Sequence, residues 1–267
     1  MQNPDYRVGD RHQIFTKTYS GIGKITNIEL VQSDEQHGIL LTFDLEGYGL
    51  SNEFYEPSDH MLISQISERQ SRSGMPIEYV YKTATDFDWT LYGEDVGAQK
   101  KIANAFVLNF KDFQKEGRGL YIKSCMRGTG KTMLSCCLAN EVLKKHDLSI
   151  KFVGVTDYIE LVKDKSDDGR NRINALMDAG LLVLDDIGAQ VENKEWITTA
   201  LYRLVDHRYT NHLPTIFTSN LNIEDLKTDS RISDRIYAVS IPLVMPEINI
   251  RRQLADKHTL DFLKTVI

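Results

Sequence analysis

The alternation of hydrophobic and polar positions changes rhythm along the chain. Residues 1–20 show no period and read as an irregular lead-in. From Gly23 the pattern is that of strands. Lys24–Val31 alternates in part, Ile39–Leu45 is a second apolar run, and Leu50–Tyr55 reads as a third. Ser33–Gly38 and Glu46–Gly49 are turns between them. Pro57, Ser58 and Asp59 then cap a helix carrying Met61, Leu62, Ile63 and Ile66. Arg72-Ser73-Gly74-Met75-Pro76 breaks the pattern, because proline cannot continue a helix and holds the residue before it extended. Residues 75–96 read as a linker over the next domain; Asp86, Phe87, Asp88 and Trp89 are either a surface loop or packing on the adenine side, and two aromatics in a linker favour packing.

Beyond the linker, helical and strand-like stretches take turns. Ile102, Phe106, Phe110 and Phe113 recur at helical spacing, which predicts one amphipathic helix over Gln99–Phe113. An apolar strand around Leu120 leads to a helix over Met133–Leu143, and Ser149–Val155 is a buried strand. Thr156 and Asp157 cap a helix with Tyr158, Leu161 and Val162. A polar segment Lys163–Arg172 follows, then a short helix with Ile173, Leu176 and Met177. Leu181–Leu184 is a central strand, and Trp196, Leu201, Leu204 and Val205 form the core side of a helix. Pro214–Asn220 is another strand, and Asp229-Ser230 caps a short helix with Arg231 and Arg235 on one face. Ile236–Pro242 reads as the last strand and Ile248–Val266 as one amphipathic helix. The domain division expected is 1–72, a small β-rich domain; 73–96, a linker; 97–242, an α/β core; and 243–267, a short helical lid.

Charge sharpens that division. Residues 1–96 hold 7 Lys and Arg against 16 Asp and Glu, a balance of −9, and the remainder holds 25 against 22, a balance of +3. An acidic front half points to a protein partner rather than to DNA. No apolar run approaches the ~18 residues that span a bilayer, and Met1–Tyr6 lacks the layout of a signal peptide. The expected location is the cytoplasm, with no membrane partner. The three cysteines, Cys125, Cys136 and Cys137, have no zinc spacing, and His37 and His60 read as surface residues.

The chemistry sits where the strand at Leu120 meets its helix. Cys125-Met126-Arg127-Gly128-Thr129-Gly130-Lys131-Thr132 is a phosphate-binding loop in its required context, strand before and helix after. Gly128 and Gly130 let the backbone wrap an anion, Lys131 would reach the β and γ phosphates, and Thr132 would hold Mg²⁺. One position departs from the pattern: Cys125 stands where glycine is usual. Asp185 and Asp186 end the central strand at its carboxyl edge, where open α/β sheets bind ligands. Asp185 would serve Mg²⁺ and Asp186 the attacking water. Neighbouring strand residues point to opposite faces, so Asp186 must already lie in the turn to share a site with Asp185. Asn220 ends the next strand and reads either as a group reaching the γ-phosphate or as a turn former.

Gly-Thr-Gly-Lys-Thr, Leu-Leu-Val-Leu-Asp-Asp-Ile-Gly-Ala, Glu195-Trp196, Leu201-Tyr202-Arg203, Arg208-Tyr209 and Pro214–Leu221 together resemble the DnaC/DnaI-type AAA+ helicase loaders of bacteria and phages. The transposition ATPase IstB is similar over the same span, from about Ser73 onward. The resemblance implies a P-loop AAA+ (ASCE) fold: a five-stranded parallel sheet near Leu120, Phe152, Val183, Phe217 and Val239, flanked by helices, with a short helical lid. It implies ATP and ADP as nucleotides with Mg²⁺, bound by Cys125 to Met133, and Asp185 and Asp186 as Walker B. Asn220 becomes sensor 1, Arg231 and Arg235 the arginine-finger region of a homo-oligomer, and Arg251 or Arg252 sensor 2. Lys163, Lys165, Arg170 and Arg172 fall in an insertion that holds single-stranded DNA; a solvated loop is the alternative, given Asp164, Asp167 and Asp168 nearby. The implied activity is a slow ATPase that loads a hexameric replicative DNA helicase onto single-stranded DNA. The alternatives are a transposase helper and a nucleotide-sensing adaptor with little hydrolysis. The cysteine-free residues 1–70 do not match the zinc-bearing N-terminal domain of the family.

Overall fold

A computed structural model describes residues 9–15, 20–32, 37–45, 49–55, 66–188, 194–226 and 228–266. The N-terminal part is an antiparallel meander of β1 (Arg11–Phe15), β2 (Ser20–Gln32), β3 (His37–Leu45) and β4 (Gly49–Tyr55). Strand β1 lies in the expected lead-in. Its Ile14 alternates into the face shared by Ile25, Leu41, Phe43 and Leu45, too short a run to show as a period. A bulge between Ile25 and Asn27 keeps Ile25 and Ile28 on that face. The expected turns at 33–36 and 46–48 and most of the helix capped at Pro57 lie outside the described residues, although residues 66–71 are helical.

The larger part is a parallel sheet of β5 (Gly119–Lys123), β6 (Ile150–Gly154), β7 (Leu181–Asp185), β8 (Thr215–Ser219) and β9 (Ser240–Val244), in the order β6-β7-β8-β5-β9. Its two faces follow from strand alternation. Leu120, Ile122, Leu181, Val183, Ile216 and Leu243 point into one cluster with α1 (Gly97–Leu108), α2 (Phe110–Lys115), α3 (Lys131–Lys145) and the linker. Tyr121, Leu182, Leu184 and Phe217 point into a second cluster with α4 (Val155–Lys163), α5 (Asp167–Met177), α6 (Glu195–Thr210) and α7 (Ser230–Val239). The inner strands β5, β7 and β8 are buried on both faces, as their apolar runs require. α8 (Ile250–Val266) closes the chain.

Several elements depart from the sequence expectation. The helix over 99–113 is two helices broken at Asn109, whose extended-bridge backbone (φ −111°, ψ 28°) lets Phe106, Phe110 and Phe113 converge. Thr156 and Asp157 lie in the first turn of α4, which starts at Val155 after Gly154. The polar segment up to Arg172 is helical from Asp167, because the Ser166 hydroxyl accepts the Gly169 N–H as an N-cap. Ile236–Val239 belongs to α7, and the last strand runs Ser240–Val244. Ile232 and Ile236 lie one turn apart on a buried helical face, and a short apolar run carries no period of its own. Trp196 is 39% exposed in the first turn of α6 rather than core. α8 is exposed from Arg251 through Thr265, not an amphipathic helix on a core.

The linker docks as expected. Phe87 and Trp89 meet edge to face at 4.7 Å, and the Tyr92 hydroxyl donates to the Thr129 carbonyl at 2.6 Å. Arg208, 2% exposed, donates to the carbonyls of Leu176, Met177, Ala179 and Pro214 and to the Thr215 hydroxyl, tying the end of α5 to the starts of β7 and β8.

Candidate nucleotide site

The loop between β5 and α3 turns on two glycines. Gly128 (φ 74°) and Gly130 (φ 90°) occupy the left-handed region that side chains resist. A Cβ at Gly128 would lie 2.5 Å from Asn249 Oδ1, and one at Gly130 would lie 3.2 Å from both the Phe87 ring and the Tyr92 hydroxyl. Cys125 has no left-handed backbone, so the departure from glycine there carries no torsional strain. The loop, the start of α3 and the carboxyl ends of β7 and β8 border a cleft of ≈ 380 Å³. Arg127, Gly128, Thr129, Gly130, Lys131, Thr132, Met133, Asp185, Asp186, Asn220 and Arg251 line it. The fold brings those sequence candidates to one cleft.

Within the cleft the polar groups are paired. Lys131 Nζ donates to the Met126 carbonyl at 2.9 Å and the Ser124 carbonyl at 3.3 Å. Burial pulls its pKa below the ordinary value, and Asp186, Glu247 and Asp185 oppose that pull. The Thr132 hydroxyl reaches the Asp185 carboxylate at 2.9 and 3.1 Å, and Thr218 Oγ1 donates to Asp185 at 2.6 Å. Burial pushes the Asp185 carboxyl above the usual range, while the two threonine hydroxyls and Lys131 pull it back. Strand alternation aims Asp185 at the α3 side, with Leu181 and Val183. Asp186 would then face away, but its backbone is left-handed, φ 58°, a region that aspartate is among the few non-glycine residues to visit. The turn brings its carboxylate within 2.9 Å of Asn220 Nδ2, and Thr218 Oγ1 accepts its N–H at 2.8 Å.

A triphosphate with magnesium suits this donor set. The cradle is one a Cβ would fill, the ammonium is buried, and one hydroxyl and one carboxylate adjoin as hard oxygen ligands. Among the described residues no cluster of three or more His, Cys, Asp or Glu offers an all-protein cation cage, and Mg²⁺ on a nucleotide needs none.

Other candidates lie elsewhere. The amides of Cys125 (2.8 Å) and Met126 (2.6 Å) donate to the Glu247 carboxylate, not into the cleft. Arg252 is exposed with its N–H on Asn249 Oδ1, so of the two tail arginines Arg251 is the one at the cleft. Arg231 and Arg235 are on α7, away from it. Arg231 makes a two-pronged pair with Asp229 at 2.9 and 2.7 Å, and Arg235 binds Asp206 at 2.6 Å and the Tyr202 hydroxyl at 2.9 Å. Lys163 pairs with Glu160 (2.6 Å) and lies over the Trp196 ring; Arg170 pairs with Asp167 at 3.1 Å. Lys165 and Arg170 border one cavity between α4, α5 and α6, and Arg172 borders another beside β6. The four cations therefore do not form one stripe.

Sequence reasoning missed Thr218, Tyr79 and Glu247. Thr218 was within reach: it lies two residues before Asn220 on β8, and it and Asp185 each follow directly on the paired Phe217 and Leu184. Tyr79 lines the cleft from the linker, and burial pushes its phenol up to about 12. Glu247 gave no signal, because nothing local marks a carboxylate that meets the loop 121 residues away.

The parallel sheet, the glycine-turned anion loop and the paired aspartates define a P-loop nucleotide-binding protein of the AAA+ class. The chain belongs to the family of IstB-like ATP binding proteins, whose model matches residues 65–240. It is similar to the replicative helicase loader DnaI of Bacillus subtilis (strain 168), 27% identical over 228 residues that cover 82% of this chain and 72% of that protein. It is similar to the replicative helicase loader DnaC of Escherichia coli (strain K12), 30% identical over 122 residues, 43% of this chain and 49% of that one. A crystal structure of DnaI matches with TM-score 0.54 and 27% identity, over 65% of this chain and 95% of that one. The crystal structure of the DnaC helicase loader shares the fold, at 23% identity and TM-score 0.54 over 64% and 99%. Among the described residues no helix is long and apolar enough to cross a membrane.

Proposed function

We propose that this protein is an ATP-dependent loader that places a replicative hexameric helicase on single-stranded DNA. The observation that carries the ATPase reading is the left-handed turn at Asp186, which brings a second carboxylate beside the Lys131 loop. Lys131 and the loop amides from Gly128 to Thr132 bind phosphates. Thr132 and Asp185 would hold Mg²⁺, which neutralises phosphate charge when bound. Asp186 accepts a proton from the attacking water or orients it, and Asn220 holds Asp186 until the γ-phosphate competes for the amide. Arg251 reaches the phosphates from the tail. Asp186 is one methylene shorter than glutamate, so turnover is slow and switch-like. Arg231 or Arg235 completes the site of a neighbouring copy, which makes ATP binding a condition of assembly. Residues 1–72 dock the helicase, and Lys163, Lys165, Arg170 and Arg172 contact DNA phosphates.

The loader reading is supported by the similarity to DnaI, which extends over 82% of the chain. A second reading is a transposition helper that binds duplex DNA; the matched family is that of the IstB-like ATP binding proteins. Copurification with a hexameric helicase in ATP, together with gel shifts on single-stranded and duplex DNA, separates the two. A loader captures the helicase and prefers single strands. Duplex preference with no helicase capture overturns the first reading in favour of the second.

A further inference from the structure

The outer side of the phosphate loop is laced to a segment that no phosphate-loop pattern includes. Met245 N–H donates to the Lys123 carbonyl at 2.7 Å, and Arg251 N–H donates to the Gly128 carbonyl at 3.0 Å. Between these ties Glu247 receives three donors: the Cys125 amide, the Met126 amide and the Ser124 hydroxyl at 3.0 Å. Desolvation works against its charge, but the two amides, the hydroxyl and Lys131 hold the Glu247 carboxyl below the usual range. The carboxylate therefore fixes the first two residues of the loop, where Cys125 replaces the customary glycine.

We infer that Glu247 is a positioning residue for nucleotide binding and that the strap 245–251 couples the cleft to α8. The inference rests on the nucleotide reading above. The loop mouth is made rigid by a bound carboxylate. Three donors are satisfied at once, so removing the side chain frees the loop to shift against the cleft. Lys131 is the second partner. It donates to the Ser124 carbonyl, which shares a peptide unit with the Cys125 amide on Glu247, and to the Met126 carbonyl, one unit beyond the Met126 amide on Glu247. When Lys131 turns to phosphate, it releases those carbonyls while Glu247 keeps the amides. The shift is passed along seven residues, with Asn249 against Gly128 and Arg251 at the cleft, to a helix exposed from Arg251 through Thr265. Beyond Ile250, which is seated in the core, that helix is exposed and has little packing to resist the movement.

The test compares Glu247→Ala and Glu247→Gln with the unaltered full-length chain. Binding of ATP and of ADP is measured by calorimetry, kcat and KM are measured separately, and hydrogen exchange is followed in α8 with and without ATP. Expected are about tenfold weaker binding of both nucleotides by the alanine variant and a smaller loss for glutamine, which keeps a carbonyl acceptor. KM should rise more than kcat falls, and ATP-dependent protection of α8 should vanish in the alanine variant. A merely structural role would lower the melting temperature and leave the α8 response to ATP intact. Unchanged affinity in both variants overturns the positioning role, and an unchanged α8 response overturns the coupling. If the unaltered chain gives no heat with ATP and magnesium, the nucleotide reading itself falls and takes this inference with it. If alanine prevents folding, the glutamine variant decides by the same readouts.

Discussion

In the cleft, Thr132, Asp185, Thr218, Asp186 and Asn220 bond to one another across three separate elements. On α7, Arg231 and Arg235 bond to Asp229, Asp206 and Tyr202, and none of these partners reaches the cleft. The cleft is an interconnected network: its carboxylates and hydroxyls hold one another in place at the edge of the phosphate loop. The arginine cluster is pinned elsewhere, with its cations balanced by local acids and by the Tyr202 ring at 4.7 and 4.8 Å. One chain thus carries an interconnected polar cleft and, apart from it, two cations held by local partners. Under the proposed function, that separate pair is what a neighbouring copy would use.

The two arginines also differ from each other. Arg231 has an exposed side chain anchored by its near neighbour Asp229, whereas Arg235 is held by two groups on α6. Under the proposed function, Arg231, the more exposed of the two, is the one assigned to a neighbouring copy. The largest expected effect follows: Arg231→Ala lowers steady-state ATPase on the order of 10³-fold in the assembled protein while leaving ATP affinity of the monomer intact. Mixing it with Lys131→Ala subunits should restore part of the activity, since each supplies what the other lacks. Equal loss in dilute monomer would break the comparison. Asp186→Asn comes next, with about a hundredfold fall in kcat at near-unchanged ATP affinity, read by single-turnover hydrolysis. Lys131→Ala should weaken ATP binding by about 2 kcal/mol, seen by calorimetry, because a charged donor to phosphate is lost. Arg235→Ala should cost about 1 kcal/mol of stability, visible as a lower denaturant midpoint, because it is the structural member of the pair. If Arg235→Ala instead abolished hydrolysis in the assembly at full stability, the roles of the two would be reversed.

The smallest effect is a pH dependence. Burial raises the Asp185 pKa in the folded chain above its unfolded value, so its contribution to stability is present at low pH and lost as pH rises through the folded value. Magnesium needs the ionised form. Acidification should therefore weaken magnesium-dependent ATP binding starting above the range where an ordinary aspartate titrates, while the nucleotide-free protein does not lose stability at this residue. Asp185→Asn should remove that part of the profile in a calorimetric pH series.

The same contrast separates what was readable in the chain from what was not. The phosphate loop was legible because its requirements are local: two glycines in left-handed backbone, a strand before, a helix after. The apolar runs of β5, β7 and β8 were legible because strands buried on both faces need them. The need for a turn at Asp186 could be deduced from strand alternation, and its φ of 58° meets it. Local pattern failed where short apolar runs carry no period of their own. Ile236–Val239 fits strand or helix equally, and only the packing of Ile232 and Ile236 against the sheet selects the helix. Trp196 was placed inside by its hydrophobicity, which says nothing of which end of a helix meets the core.

The order of residues thus determined that this chain folds an anion-binding loop into a parallel α/β sheet with two carboxylates at its edge, since torsional freedom, burial and alternation act over a few neighbouring positions. The tertiary structure alone decided that Glu247 braces the loop, that Thr218 holds Asp185, that Arg251 rather than Arg252 reaches the cleft, and that Arg231 and Arg235 do not. Apart from the local Arg231–Asp229 pair, those pairings join residues tens to more than a hundred positions apart, and a contact at that separation is set by how the layers stack, which no local pattern encodes.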